Sequence, residues 1–232
     1  MHMKTIGLLG GMSWESTASY YRLINEAVKR TLGGLHSARV VLYSVDFHEI
    51  ETLQASGDWA SAGERLAAAS MALERAGADF IVLCTNTMHK VADSIEACVK
   101  IPLLHIADPT AEAIKAAGLH RVGLLGTRFT MEEDFYSGRL RDRHGLNVLI
   151  PDEADRTAVH EIIYGELCVG TILEASRWRY REVIERLVGD GAEAIILGCT
   201  EISLLISAQD SPVPVFDTTA LHAQSAVQLA LA

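Results

Sequence analysis

Two cysteines stand at the ends of two buried, strand-like runs, one in each half of the chain. The run at residues 80–83 (Phe-Ile-Val-Leu) ends at Cys84, the run at residues 194–198 (Ala-Ile-Ile-Leu-Gly) ends at Cys199, and a threonine follows each cysteine. A thiolate is a strong nucleophile and a usable base near neutral pH. Two thiols in equivalent positions therefore predict a two-sided site, in which one removes a proton from a carbon and the other returns a proton to its opposite face.

Racemisation of an amino acid requires this pairing. The α-proton is a very weak acid, and a single residue on one side would tend to return the proton to the face from which it came. A lone cysteine at a strand end is more often a small buried hydrophobe. Two cysteines at equivalent positions, each followed by threonine, favour the catalytic interpretation, and we predict that Cys84 and Cys199 are the catalytic residues.

The turns that follow the cysteines carry short polar side chains. Each cysteine lies where a strand meets the predicted start of a helix, the first of which we place over residues 86–99. We expect the N–H groups of these turns to lower the pKa of the thiols or to bind a substrate carboxylate. The polar side chains in these turns are Thr85, Asn86, Thr87 and Thr200.

Three neighbouring features have alternative interpretations. Glu201 could assist Cys199, or could be a first-turn acid that the helix dipole favours. His89 is interpreted as a solvated or capping helix histidine. The pair Gly10-Gly11 could bring backbone N–H groups close to an anion, or could simply permit a tight turn. The residues themselves leave the first and third choices open.

The second half of the sequence repeats the first. Three stretches recur at nearly the same offset, namely residues 5–11 at 121–127, residues 80–84 at 194–199, and residues 101–105 at 213–217. The repeat indicates two copies of a βαβαβα unit, with helices after each fourth strand. It also places Thr127 at the turn that matches Gly11, beside the predicted site.

Alternating strands and helices predict an α/β fold with parallel sheets. We predict two pseudo-symmetric domains, each a short parallel sheet with helices on both faces. The first comprises residues 1–107 and 216–232, and the second residues 108–215. Ligands of open α/β sheets bind beyond the carboxyl ends of the strands, where both cysteines fall. The active site is therefore expected in the cleft between the domains.

Composition limits the classes of partner. The 232-residue chain is 49% hydrophobic and has a formal net charge of −10 without any block of like charges. Such an acidic surface disfavours nucleic acid and anionic membranes. No apolar run approaches the roughly 18–20 residues that cross a bilayer. The four cysteines lack CxxC spacing and indicate free thiols in a reducing cytoplasm. Met1-His2 precedes Met3 and is interpreted as an addition ahead of the native start.

Several other kinds of site are not indicated by the sequence. The early glycines do not match GxGxxG, and neither GxxxxGK[ST] nor GxSxG occurs. The histidines and cysteines lack the spacing of metal ligands. No lysine stands out as an anchor for pyridoxal phosphate. We therefore expect neither a cofactor nor a metal ion.

Three motifs together resemble the aspartate/glutamate racemase family over essentially the whole chain. They are residues 7–12 (GLLGGM), residues 84–89 (CTNTMH) and residues 198–201 (GCTE). The resemblance implies two-base catalysis by the paired cysteines, no pyridoxal phosphate, and a homodimer. By the same analogy, Cys199 would act on the L enantiomer and Cys84 on the D enantiomer, or the reverse. The residues that it implies for substrate binding are Asn86, Thr87, Thr127 and Thr200, to which we add Met12, Ser13 and Glu201.

The sequence departs from the family pattern at two positions. Members that resemble it and act on aspartate carry an arginine after the second strand and a lysine before the glycine of the second half. Glu51 and Cys168 stand at these positions here. A buried carboxylate without cationic partners is costly, so neutral or broader amino-acid substrates become credible beside aspartate and glutamate. The cations that could substitute are Arg22, Lys90 and Arg128.

The leading prediction is a cytoplasmic, cofactor-independent amino-acid racemase whose partners are an amino-acid substrate and a second copy of the chain. Two alternatives keep the fold. One is an isomerase or decarboxylase of a small dicarboxylic acid such as maleate or a malonate. The other is a non-catalytic small-molecule binding module, whose thiols would resist iodoacetamide at neutral pH.

Overall fold

The structure is a computed structural model that describes residues 3–232. Met1 and His2, and with them the interpretation of the native start, lie outside the described residues. The chain divides into two compact units. The first consists of the residues up to His105 together with His222–Ala232, and the second is Ile106–Leu221. The chain therefore leaves the first unit after His105 and returns to it after Leu221.

Eight strands and eleven α-helices alternate along the described chain. The strands are β1 (Ile6–Gly10), β2 (Val40–Ser44), β3 (Phe80–Leu83), β4 (Leu103–Leu104), β5 (Arg121–Gly126), β6 (Asn147–Leu149), β7 (Ala194–Gly198) and β8 (Val215–Asp217). The helices are α1 (Trp14–Leu32), α2 (Phe47–Ser56), α3 (Trp59–Arg75), α4 (Ala92–Glu96), α5 (Ala107–Ala116), α6 (Arg128–Glu132), α7 (Asp134–His144), α8 (Glu153–Gly165), α9 (Glu174–Gly189), α10 (Ile202–Leu205) and α11 (Thr218–Leu231). Short 3₁₀ turns lie at Thr87–Val91, Leu167–Val169 and Ala208–Asp210.

The first unit is built on a four-stranded parallel sheet in the order β2-β1-β3-β4. The central strands β1 and β3 are buried along their whole length, which explains their continuous apolar sequences. Leu9 and Ile81 pack on one face with α3, whereas Leu8 and Val82 pack on the other face with α1 and the end of α11. Both faces of this sheet are thus covered by helices.

The second unit repeats this topology with strands in the order β6-β5-β7-β8, again all parallel. In the register, Leu124 of β5 lies beside Ile196 of β7, and Leu197 lies beside Asp217 of β8. One core cluster joins these strands to the surrounding helices, with Tyr180 of α9 fully buried in it. The predicted α/β fold with two parallel sheets flanked by helices is confirmed.

The sequence predicts a helix that Ser13 caps, that Gly33-Gly34 ends, and whose inner face includes Tyr21, Ile24, Val28 and Leu32. The structure agrees closely at both ends of this helix, α1. The Ser13 side chain caps the helix by accepting from the N–H of Ser16, Glu15 lies in the first turn, and Gly33 ends the helix. The inner face differs by one residue from the predicted one. Tyr20 is buried, and Tyr21 is exposed. The periodic pattern was correct, but an adjacent pair of tyrosines fits it in two ways.

Residues 86–99 do not form the single helix that the sequence predicts. A 3₁₀ turn at Thr87–Val91 comes first, and the five-residue helix α4 follows it. In an α-helix the Thr85 carbonyl would accept from the N–H of His89. Here the ring of His89 donates to that carbonyl, and the N–H of His89 bonds to Asn86 O instead. The side chain thus replaces a helical backbone bond and tightens the turn.

No helix among residues 3–232 is both long and apolar enough to span a bilayer.

Candidate active site

The predicted site residues of each unit follow its two central strands. In the first unit, Met12 and Ser13 follow β1, and Cys84, Asn86 and Thr87 follow β3. In the second unit, Thr127 follows β5, whereas Cys199, Thr200 and Glu201 follow β7. Because neighbouring parallel strands end at the same edge of a sheet, the polar residues of each unit are brought to that edge. Repeat-equivalent residues therefore occupy equivalent places in the two units.

Cys84 lies in a turn in which both its backbone N–H and its carbonyl are hydrogen-bonded. Its N–H donates to Leu9 O at 2.9 Å, and its carbonyl accepts from the Ser16 hydroxyl at 3.3 Å. The thiol itself is fully buried and donates to Val82 O over 3.6 Å. Ser16, which lies 68 residues earlier in the chain, was not identified from the sequence because nothing local links it to this turn.

His89 is buried rather than solvated, with an exposure of 2%. Its Nδ1 lies 2.8 Å from Thr85 O. A carbonyl oxygen can only accept, so Nδ1 carries the proton and donates. Of the two interpretations of His89, the solvated one is therefore wrong, whereas the bond to Thr85 O is a side-chain cap of a main-chain carbonyl. Its ring holds the residue that follows Cys84.

The other predicted residues of the first unit are buried as well. Met12 packs in the core, and Ser13 is occupied in capping α1. Asn86 and Thr87 begin the 3₁₀ turn and are almost fully enclosed. The glycine pair before Met12 serves a tight turn, since Gly11 has a φ of 96° and its N–H donates to the Thr17 hydroxyl at 2.8 Å.

Cys199 and Glu201 are in direct contact in the second unit. The Cys199 thiol, 8% exposed, donates to Glu201 Oε2 at 2.9 Å, and the Thr200 hydroxyl donates to the same oxygen at 2.6 Å. Glu201 is itself buried. Of the two interpretations of Glu201, the contact favours the one in which it assists Cys199, because its carboxylate accepts the hydrogen bond of the thiol.

Thr127 is buried at the start of α6 and caps that helix. Its hydroxyl oxygen accepts from the N–H of Thr130 at 3.3 Å, and the two threonine hydroxyls lie 3.2 Å apart. The sequence repeat predicted that Thr127 would follow the β-strand equivalent to β1, and it does so at the end of β5.

The expectation that helix N-termini lower the pKa of the thiols is wrong. Burial raises the pKa of Cys84 above its ordinary value. The pKa of Cys199 is also raised, first by burial, then by the negative charge of Glu201, and further by the neighbouring ionisable thiol of Cys168. The helices that follow have only five and four residues, so their dipoles are small and desolvation dominates. Both cysteines therefore rest as thiols.

Further ionisable side chains lie near Cys199 in the second unit. Cys168 lies half-buried in the 3₁₀ turn Leu167–Val169 and packs against the core cluster that contains Cys199. Burial raises the pKa of Tyr180, and the ionisable groups Cys199, Cys168, Glu166 and Glu201 near it raise it further. The helical spacing of Tyr180, Val183, Ile184 and Leu187 predicts a core position for Tyr180. Its distance from Cys199 in sequence hides their proximity.

The cations proposed as substitutes for a side-chain carboxylate binder have other partners. Arg22 pairs with Glu26 on the exposed side of α1, and the Lys90 ammonium lies 4.0 Å from the centroid of the Trp59 ring. The Arg128 guanidinium donates to the Thr157 hydroxyl at 3.0 Å. Glu51 lies on α2 and is partly buried.

No three His, Cys, Asp or Glu side chains within residues 3–232 come together in a way that could hold a metal ion.

The thiols are expected to differ widely in their reaction with iodoacetamide. Cys98 is exposed. At pH 7.5 it should be alkylated at least about tenfold faster than Cys84 or Cys199, because only a thiolate reacts and burial keeps these two protonated. Since the pKa values of Cys84 and Cys199 are raised, their labelling should accelerate only well above neutral pH. Timed labelling followed by peptide mass spectrometry measures each thiol.

Early labelling of Cys199 at neutral pH would contradict that expectation. Resistance of the ligand-free protein, in contrast, is expected for a racemase and for a binding module alike. Thiol reactivity therefore does not separate these two functions, and the test has to follow isotope exchange.

Comparison with known proteins agrees with the motifs. The model of the Asp/Glu/hydantoin racemase family matches residues 9–226. The crystal structure of a candidate Asp/Glu racemase from Yersinia pestis is 61% identical, covers 99% of this chain and 100% of its own, and has a TM-score of 0.93. An aspartate racemase homologue from Pyrococcus horikoshii is 36% identical over 99% of this chain and 100% of its own, with a TM-score of 0.85.

A more distant relative carries a name that bears on substrate range. The broad specificity amino-acid racemase RacX of Bacillus subtilis is 24% identical over 98% of this chain and 98% of its own length. The family match covers far more than half of the chain, and it confirms the resemblance drawn from the three motifs. This chain belongs to the Asp/Glu/hydantoin racemase family and is an isomerase of the racemase type.

Proposed function

We propose that this protein is a cofactor-independent amino-acid racemase in which Cys84 and Cys199 act on opposite faces of the substrate α-carbon. The observation that carries the proposal is the equivalence of the two thiols. Each is the first residue after the second central strand of its sheet, and the two sheets have the same strand order. Each is also enclosed away from water, where an acid or base acts most strongly.

The reaction needs one thiolate and one thiol at the same time. In one direction, Glu201 takes the proton of Cys199 through the 2.9 Å contact, and the resulting thiolate removes the α-proton. The Cys84 thiol then gives its proton to the opposite face of the carbanion. Cys199 ends as a thiol, Cys84 as a thiolate, and Glu201 keeps the proton that it took from Cys199, so the proton count balances. The reverse reaction can then begin from the Cys84 thiolate. Which enantiomer each cysteine receives is left to experiment.

The proposed substrate range extends beyond aspartate and glutamate to neutral amino acids. Its support is electrostatic. The Glu201 carboxylate raises the pKa of Cys199, and its negative charge would also oppose a further carboxylate at this place. Cys168 also stands where related members carry a lysine. A side-chain carboxylate near Cys199 would meet repulsion from Glu201, while Arg22, Lys90 and Arg128 are engaged with other partners. The name of the Bacillus subtilis relative, which records broad specificity, is consistent with this range.

The test is exchange of the α-proton in deuterium oxide, without added cofactor, over a panel of L and D amino acids. We expect deuterium incorporation with inversion for neutral amino acids. Aspartate should react at least about tenfold more slowly, because one uncompensated like-charge contact costs on the order of 1.4 kcal/mol or more. Proton magnetic resonance measures exchange and chiral chromatography measures inversion.

Each other outcome of the amino-acid panel would favour a different substrate range or a different function. Exchange confined to aspartate and glutamate would contradict the proposed range while leaving the racemase intact. Conversion of maleate or a malonate, with no exchange of any amino acid, would favour an isomerase or decarboxylase. Ligand binding without any turnover would favour a binding module.

A further inference from the structure

Three histidines are buried together in the first unit, although the proposed mechanism uses none of them. His89, His105 and His222 have exposures of 2%, 5% and 0%. The ring centroid of His89 lies 4.4 Å from that of His105 and 6.0 Å from that of His222. His105 and His222 are also the residues at which the chain leaves the first unit and returns to it. His89 thus packs against the two residues at which the chain passes between the units, His105 and His222.

His222 is held by two hydrogen bonds that fix its ring. Nε2 lies 2.8 Å from Leu104 O, and because a carbonyl only accepts, Nε2 carries the proton. In the neutral ring Nδ1 is then an acceptor, and the buried Tyr20 hydroxyl donates to it at 2.9 Å. The imidazole cluster is therefore tied to β4 and to α1. It forms a fixed support against which the ring of His89 rests.

The ring of His89 acts directly on the turn that contains Cys84. Four hydrogen bonds fix that turn. The N–H groups of Cys84 and Thr85 donate to backbone oxygens of β1 and β3, while the carbonyls of Cys84 and Thr85 accept from the Ser16 hydroxyl and from His89 Nδ1. The bond from His89 is 2.8 Å long, and it fixes the carbonyl of the residue bonded to Cys84.

We propose that His89 is a positioning residue for Cys84, held in place by His105 and His222. This role rests on the proposed function. An apolar ring or chain would fill the same space without the cost of burying a polar group, so packing alone does not call for an imidazole here. What the imidazole adds is a directed bond to Thr85 O. Displacement of a catalytic group by about 1 Å can lower a rate by about 10²-fold.

Racemisation rates alone cannot test this role. The equilibrium constant between enantiomers is one, so any loss at Cys84 lowers both directions equally. A substrate with a leaving group on its β-carbon separates the two thiols. In 3-chloroalanine, a thiolate takes the α-proton, the electron pair forms a carbon–carbon double bond, and chloride departs. Each enantiomer then reports one thiol, and the Cys84→Ser and Cys199→Ser variants identify which enantiomer belongs to which thiol.

The His89→Leu variant should lose about 10-fold to 100-fold of the chloride release assigned to Cys84. Release assigned to Cys199 should stay within about threefold of the unaltered chain. His89→Asn should recover most of the loss, because its amide nitrogen lies near the position of Nδ1, whereas the longer side chain of His89→Gln places its nitrogen elsewhere and should not. His48→Leu, on the exposed side of α2, is the matched control and should change neither reaction.

The outcomes separate the inference from the function on which it rests. Equal loss of chloride release from both enantiomers in His89→Leu, or no loss from either, would overturn the positioning role. The proposal that the protein is a racemase would still stand. If His89→Leu does not fold, equal activity of the Asn and Gln variants would overturn it. Absence of both exchange and chloride release in the unaltered chain would overturn the proposed function, and the positioning role with it.

Discussion

Replacement of Cys84 or Cys199 by serine should lower racemisation at least about 10³-fold in both directions. A serine hydroxyl is a far weaker acid than a thiol, so the variant cannot supply the thiolate that removes the α-proton. The expected loss lies within the range of about 10²–10⁴ that general acid–base catalysis contributes. Initial rates from the L and D enantiomers, measured by chiral chromatography, test the expectation. Cys98→Ser, which changes an exposed thiol, serves as the control.

The two serine variants should differ from one another in which enantiomer of 3-chloroalanine they still convert. Each keeps one thiol, and should still release chloride from the 3-chloroalanine enantiomer whose α-proton faces that thiol. Complementary selectivity of the two variants is expected only if the two cysteines act on opposite faces. Racemisation that persists in both variants would refute the two-base mechanism.

Replacement of Gly11 by alanine should destabilise the first unit by about 3–5 kcal/mol. The φ of 96° is unfavourable for any residue with a Cβ, which costs about 1–3 kcal/mol. In addition, the new Cβ would overlap the backbone N and O of Val45, and such overpacking costs about 1–3 kcal/mol more. Val45 cannot move freely, because its N–H donates to Gly10 O.

The matched control is Gly57→Ala in the same unit. Gly57 also has a positive φ, of 75°, but nothing lies within 4 Å of the point that a Cβ would occupy there. Its replacement should cost only about 1 kcal/mol. Urea unfolding followed by tryptophan fluorescence measures both, and a Trp178→Phe background leaves Trp14 and Trp59 as reporters of the first unit. Equal destabilisation by the two substitutions would show that the overlap at Val45 is relieved.

The sequence predicts the strands of this fold well, because buried parallel strands appear as continuous apolar runs. The runs at β3 and β7 needed only such local information. The Ser13 cap was equally local, since the bond that it makes spans three residues. In contrast, α2, α6, α7 and α8 were not predicted. Their apolar spacing is weak, and their burial depends on neighbours that come from other parts of the chain.

The surroundings of the two cysteines could be predicted only in part. The contact between Cys199 and Glu201 spans two residues, so the sequence at least raised it as an alternative. The support of the Cys84 turn by Ser16 and His89 was not foreseen. Ser16 comes from a helix distant in sequence. The ring of His89 replaces a backbone hydrogen bond that a prediction from helical periodicity assumes to be present. The pKa directions were also wrong, because burial of a thiol is a tertiary property.

The late return of the chain to the first unit has a consequence for biosynthesis. Ala223, Ala226, Val227 and Ala230 of α11 complete the core that contains Ile6 and Tyr20, and Lys4 N donates to Ala230 O. On the ribosome, this core stays open until residues 223–230 have left the exit tunnel, and the whole of the second unit leaves the tunnel before them. The first unit thus finishes folding after the second, and meanwhile exposes an apolar surface of the kind that chaperones bind.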